Sequence, residues 1–316
     1  MRVPHLSPKA YQRVTLVATI LLAMIIVTGG AVRLTDSGLG CPVGISCPAR
    51  ELHRVAVSSE HRFIEHANRL FTGAVSIAVI LAALGSLVRV PRRRDLTWLS
   101  LGLVVGVFAQ AVLGQLTVEF DLKPQFVMAH FLLSIVLLTD AIWLTWRAGQ
   151  PDGDTTSRAA TSRRVVAMSR ALLGVAALVL ATGTVVTGAG PHSGGGQRDN
   201  VARLDIPIES AARVHSAFVW LFLAMVLVTL SLVRRDRAPA SVQARLTVLL
   251  VLLVAQGAIG YTQYFNDLPP LLVGFHLAGA AAVWSATVVF ALGCFQRIER
   301  VPAAATAPER PALATT

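Results

Sequence analysis

The chain has 316 residues, of which 54% are hydrophobic and only 14% charged, and its mean hydropathy is +0.63. A soluble domain of this length has no interior large enough for so much apolar side chain, so the composition excludes a water-soluble fold and points to a bilayer as solvent. The formal net charge of +11 does not signal nucleic acid, because the arginines fall in short clusters between apolar runs instead of forming one patch.

About 20 apolar residues cross the hydrocarbon core as a helix. Eight such runs follow one another, at roughly 14–34, 61–88, 95–118, 124–147, 165–189, 209–233, 241–264 and 270–295. Residues up to Tyr11 read as disordered. The first run lacks a small-residue cleavage site and reads as a retained anchor. A loop carrying Cys41 and Cys47 follows it. The second run is interrupted near its start by Glu65, His66, Asn68 and Arg69, polar groups that are costly at membrane depth and functional by default. A Gly-, Asp-, Thr- and Ser-rich stretch from Gly149 to Ser162 is a linker at the midpoint of the chain. The expected division is a four-helix unit over 1–148, a linker over 149–164, a second four-helix unit over 165–297 and a disordered tail over 298–316.

Arginine placement orients the spans. Basic clusters lie before the first span (Arg2, Lys9, Arg13), between the second and third (Arg89, Arg92, Arg93, Arg94), around the central linker (Arg147, Arg158, Arg163, Arg164, Arg170), between the sixth and seventh (Arg234, Arg235, Arg237, Arg245) and in the tail (Arg297, Arg300, Arg310). All fall on one side, which the positive-inside rule makes cytoplasmic, with both termini there. The Cys41–Cys47 loop is then outside, where the pair reads as a disulfide, with zinc binding as the alternative. Cys294 falls on the inner side and reads as an inert free thiol.

The two halves share a register. Gln110, Gly114, Asp121, Leu122, Pro124 and His130 recur as Gln256, Gly260, Asp267, Leu268, Pro270 and His276, each pair 146 residues apart. A weaker echo sets Thr28-Gly29 against Thr187-Gly188. Each half begins and ends on the same side, so the expected fold is all-α and integral to the membrane, with eight transmembrane helices in two pseudo-symmetric four-helix bundles.

Asn68, His130, His215 and His276 each lie six to eight residues into an even-numbered span. At about 1.5 Å per residue they share one depth, roughly 10 Å below the outer edge. Facing histidines on separate helices of one bundle suit a cofactor, and paired imidazoles suit heme iron. A binuclear metal site and a proton relay are the alternatives; both would normally recruit carboxylates. The first half offers His130 but has Asn68 where a partner histidine is expected, and His66 points about 200° away around the helix. Glu65 shares a face with Asn68 and reads either as a base at a porphyrin edge or as an ion-pair partner of Arg62 or Arg69. Arg69 and Arg213 read either as propionate partners or as snorkelling interface residues.

These residues also carry a resemblance. Gly29-Gly30-Ala31-Val32-Arg33-Leu34-Thr35 with Ser37-Gly38-Leu39, Cys41-Pro42 and Cys47-Pro48, then Ile64-Glu65-His66-Ala67-Asn68-Arg69-Leu70, the two Gln/Gly stretches, Arg213-Val214-His215, His130 and His276 resemble the heme A synthase family over about Val14 to Phe295. The resemblance implies oxidation of a heme O methyl group to the formyl group of heme A for terminal oxidases. It implies a resident heme b on His215 and His276, a substrate heme on His130, Glu65 as the catalytic carboxylate and Cys41 with Cys47 as the outer cysteine pair. The partners implied are heme O, heme O synthase, an external electron donor and membrane lipid, with homo-oligomerisation left open; no nucleic acid is expected. Asn68 stands where many members carry histidine. A diheme membrane cytochrome and a heme carrier without chemistry are the competing readings.

Overall fold

The structure is a computed structural model that describes residues 5–35, 37, 59–153, 155–192 and 202–299, excepting the side chains of 59–62, 65 and 299. Among them are eight long helices: α1 (Pro8–Leu34), α2 (Ser59–Val88), α3 (Arg94–Glu119), α4 (Pro124–Ala148), α5 (Arg163–Ala189), α6 (Ile208–Arg235), α7 (Ala240–Phe265) and α8 (Pro270–Gly293). All eight are long and apolar enough to cross a membrane. The protein is an all-α, multi-pass membrane protein. The side where α4, α6 and α8 begin is called the histidine side below, and the opposite one the linker side.

The helices start and stop where local chemistry dictates. Pro8 opens α1 and Ser7 caps it, its Oγ accepting from Ala10 N at 3.3 Å. That start is earlier than the expected boundary near Val14, and Tyr11, expected to be disordered, is fully buried. Proline fits a first helical turn because no intrahelical partner awaits its missing N–H. At the other end of the repeat, α3 and α7 terminate alike. Asp121 and Leu122 have φ of 50° and 58°, and Asp267 and Leu268 both have 57°. In each, the leucine N–H reaches back over the last turn, Leu122 to Thr117 O and Leu268 to Gln263 O, both at 2.8 Å. That left-handed stop satisfies carbonyls that a bilayer could not. Pro124 and Pro270 then open α4 and α8.

Within α1–α4, the contacts run α1 to α2, α2 to α3, α3 to α4 and α4 back to α1; within α5–α8 they close the same ring. Between the two sets they run through α1, α4, α5 and α8. That seam is apolar, built on Ile26, Ile135, Leu138, Ile142, Leu180, Ala281 and Val288. Polar links cross it as well, among them Trp284 Nε1 donating to Thr139 Oγ1 at 2.8 Å.

The linker side holds a feature that the sequence reading did not foresee. The linker forms a strand, β1 (Thr155–Ala159), which pairs antiparallel with β2 (Phe295–Glu299) in the segment after α8. Phe295–Glu299 is thus paired backbone, including residues assigned to a disordered tail. Beside it, Arg89 is fully buried and binds Asp152 at 2.6 Å, while Arg93 (2.9 Å) and Arg147 converge on Asp95. These pairs fasten the α2–α3 turn and the linker to the end of α4. Cys294, the cap of α8, is fully buried, and burial pushes its thiol pKa up, in keeping with an inert thiol.

Removing Asp152 would strand a buried guanidinium. Asp152→Ala is expected to cost about 3 kcal/mol, read as a lowered thermal midpoint of the purified protein, whereas Asp205→Ala at an exposed loop carboxylate should leave it within error. Equal midpoints for the two variants would contradict this account of the linker side.

Candidate cofactor site

Three helices that begin on the histidine side carry an inward histidine within their first two turns: His130 on α4, His215 on α6 and His276 on α8. Helices packed this closely normally fill the contact with side chains from both partners. Here the neighbour presents a glycine each time. A Cβ on Gly114 (α3) would lie 3.3 Å from His130 Cε1, one on Gly183 (α5) 3.1 Å from His215 Cε1, and one on Gly260 (α7) 3.0 Å from His276 Cε1. Each imidazole occupies the space that a neighbouring side chain would otherwise take.

One helical turn before two of these glycines stands a glutamine. Gln110 Nε2 donates to the backbone carbonyl of His130 at 3.0 Å, and Gln256 Nε2 to that of His276 at 2.6 Å. Residues four apart share a helix face, so the glutamine grips the histidine's backbone while the glycine admits its ring. Gln110 also donates to Ser134 Oγ.

His215 is held differently. Its Nδ1 lies 3.1 Å from Val179 O and 3.3 Å from Thr182 Oγ1. A carbonyl only accepts, so Nδ1 carries the proton and Nε2 keeps a lone pair for a metal. Thr182-Gly183 of α5 thus touches His215 through both residues.

His215 and His276 face each other, with ring centroids 6.4 Å apart and ring planes at 76°. Two metal–nitrogen bonds of about 2 Å, with a ring radius at each end, give about 6 Å between centroids. The pair thus has the spacing of two axial ligands on one metal. His276 Nδ1 is buried without a hydrogen-bond partner, as is His130 Nδ1, which leaves polar capacity at both places. Among the described residues, no three His, Cys, Asp or Glu side chains converge to hold a bare ion. Two imidazoles alone suit a metal whose remaining ligands come from a macrocycle.

The first half is arranged otherwise. Asn68 Oδ1 is buried and unpartnered, while His66 lies exposed on another face of α2. Gly29, in the Thr-Gly pair of α1, meets nothing within 4 Å of where a Cβ would stand, among the described residues. In sequence register, Asn68 thus stands in the first half where His215 stands in the second.

The other expected residues divide. Glu65 lies in α2, and its side chain falls outside the described residues, as do Cys41 and Cys47 altogether. Arg69 is half-buried. Arg213 is exposed, and its Nε donates to Glu209 O of its own helix at 3.3 Å. The sequence reading missed Arg33, whose Nη2 crosses from α1 to Thr187 O at 3.0 Å while its Nε is buried and unpartnered. His192 also gains a role: Nε2 lies 2.7 Å from Leu268 O, holding the α7–α8 turn.

Comparison with known proteins bears on this arrangement. Residues 50–191 match the family model described as cytochrome oxidase assembly protein, a stretch that includes α2 to α5 with His130 and Gly114. A heme A synthase of Listeria welshimeri is 27% identical over 203 residues, 63% of this chain and 63% of the relative. A heme A synthase of Listeria monocytogenes serovar 1/2a is 31% identical over 139 residues, covering 43% and 45% of the two chains. One from Bacillus licheniformis is 25% identical over 149 residues, covering 47% and 49%. Over these stretches the chain is similar to heme A synthases. The matched part spans just under two thirds of the Listeria welshimeri heme A synthase.

The glycine cradle makes a direct prediction. Gly260→Val would force the His276 ring aside, and the affinity of the purified protein for added heme should fall about tenfold or more in an optical titration. Gly257→Val, where a Cβ would meet nothing within 4 Å among the described residues, should leave the titration unchanged. A titration indifferent to Gly260→Val would remove the cradle from the account.

Proposed function

We propose that the chain is a heme A synthase of the cell membrane, with both termini cytoplasmic, that oxidises a methyl group of heme O to the formyl group of heme A for terminal oxidase assembly. The observation that carries this reading is the unequal provision of the two halves: a facing histidine pair in the second, and one histidine with a buried amide in the first. The relatives named heme A synthases add the substrate class.

In this reading the two four-helix units are copies with different tasks. His215 and His276 hold a resident heme b, which supplies reversible one-electron transfer when bound. His215 is fixed as a lone-pair donor by Val179 and Thr182, and Gln256 with Gly260 fixes His276. The substrate heme lies on His130, steadied by Gln110 and Gly114. Asn68 cannot ligate iron as an imidazole does, so the opposite face stays open for exchange of substrate and product. Arg33, Arg69 and Arg213 supply guanidinium groups on the histidine side for the propionates.

In each of two rounds dioxygen would be the oxidant, one oxygen atom entering a C–H bond of the substrate methyl and the other leaving as water with two protons and two electrons from the outside donor; the resulting diol then loses water to leave the aldehyde. Glu65, one turn from Asn68, serves as the base that accepts the diol proton. Heme O arrives from heme O synthase, and electrons come from a donor outside the chain. A diheme cytochrome would call for a second histidine at the position of Asn68, which disfavours that reading.

The test is heme identity. Protein purified after co-expression with a source of heme O should yield heme B together with heme O, heme A or a hydroxylated form on chromatography; heme B alone would refute the proposal. His215→Ala or His276→Ala should abolish the heme b spectrum, whereas His130→Ala should lose the substrate or product heme and keep heme b. Glu65→Gln should retain heme O and make no heme A, and heme A at the wild-type level would remove Glu65 from the chemistry.

A further inference from the structure

The contacts between the halves run through α1, α4, α5 and α8, which leaves α6 and α7 on an outer flank. Their outward positions are apolar and exposed, among them Leu221, Val228, Val251 and Val254. Such a surface faces hydrocarbon. Within it stands a polar cluster that the site above does not use. Tyr261 Oη lies 2.8 Å from Ser216 Oγ and accepts from Trp220 Nε1 at 2.9 Å. Tyr261 is 43% and Trp220 58% exposed, so the cluster is open at the α6–α7 face.

Three hydrogens are available here: one on Trp220 Nε1 and one on each hydroxyl. The indole hydrogen is spent on Tyr261, and one hydroxyl hydrogen is spent between Tyr261 and Ser216. The other hydroxyl hydrogen has no acceptor among the described residues, whichever of the two hydroxyls donates. A donor left over on a hydrocarbon-facing surface is costly, and a ligand that satisfies it must be membrane-soluble and carry an oxygen acceptor. Two aromatic faces beside the donor favour a flat ring as the bearer of that oxygen.

The cluster is confined to the half with two histidines. Ser216 follows His215 directly, and Tyr261 follows Gly260, the glycine that cradles His276. Tyr261 stands in the register of Gln115, 146 residues earlier. Five residues beyond Asn68 comes Gly73, where five beyond His215 comes Trp220. No counterpart of the phenol or the indole stands at those positions in the first half.

We propose that Ser216, Trp220 and Tyr261 bind the head group of a membrane quinol or its quinone. A ring oxygen takes the spare hydroxyl hydrogen, and the prenyl tail lies along the α6–α7 flank. The assignment rests on the reading of the second half as the redox-active one, since it places a lipid-soluble carrier of reducing equivalents one residue from His215.

The experiment is a binding measurement independent of heme products. The purified protein in lipid nanodiscs is titrated with decylubiquinone, and with a short-chain menaquinone, while tryptophan fluorescence is followed. Saturable quenching is expected, lost in Trp220→Phe and shifted about tenfold to weaker binding in Tyr261→Phe and Ser216→Ala, as for loss of one hydrogen bond left without a partner. The heme b spectrum of each variant reports intact folding; should Tyr261→Phe lose it, Ser216→Ala and Trp220→Phe decide. Quenching that is non-saturable, or equal in the wild type and in the variants that keep the spectrum, would overturn the proposal and leave the cluster to lipid ester carbonyls. Because quinone binding and the extracted hemes are read separately, the failure of one is distinguishable from the failure of the other.

Discussion

An imidazole inside a bilayer must find its hydrogen bonds and its space within the protein, because hydrocarbon supplies neither. Here the space comes from glycine on the adjacent helix, at Gly114, Gly183 and Gly260. The positioning comes from a second contact near each glycine: glutamine to the histidine's own carbonyl in α3–α4 and α7–α8, and the Val179 carbonyl with the Thr182 hydroxyl in α5–α6. The depth of the histidines, the helix stops at Leu122 and Leu268 and the prolines that open α4 and α8 all serve this level of the bundle. A larger residue at the glycine would push the ring out, and the rest of the scaffold would have nothing to hold.

The two halves set different residues on similar rings of four helices. His215 and His276 stand 6.4 Å apart, a spacing at which both would hold one metal. Where Asn68 stands in place of the first of the pair, the amide oxygen is buried, and among the described residues it has no partner and nothing lies within 4 Å of where a Cβ on Gly29 would stand. A saturated site suits transfer of electrons, and an open one suits exchange and reaction of a bound porphyrin. The proposed function follows from that inequality, and the hydroxyl–indole cluster on α6 and α7 adds to it, since it too belongs to one half.

Much of this was legible in the sequence because the bilayer makes hydrophobic runs unambiguous. The eight spans agree with the helices to within a few residues except at α1, where Ser7 and Pro8 start the helix ahead of the apolar run. The Gln, Gly and His register pointed to the site because each member has a distinct contact. Thr182-Gly183 carries no local signal in the sequence, since its contact with His215 depends on how α5 packs on α6. Strand β1 was hidden because its partner, β2, lies more than a hundred residues away and neither alternates strongly. Arg33 was read as part of a loop motif, and its reach to Thr187 depends on how the halves pack. The Ser216, Trp220 and Tyr261 cluster joins two helices at positions with no common spacing, so no local pattern announces it.

The central claim is that one half saturates its metal and the other does not. Electron paramagnetic resonance of the purified ferric protein, loaded with heme in both halves, reads this directly. The account predicts one low-spin signal from two-imidazole ligation, lost in His276→Ala, beside a second heme with a high-spin signal that becomes low-spin in Asn68→His. Two low-spin two-imidazole signals in the wild type, both unchanged by Asn68→His, would contradict it.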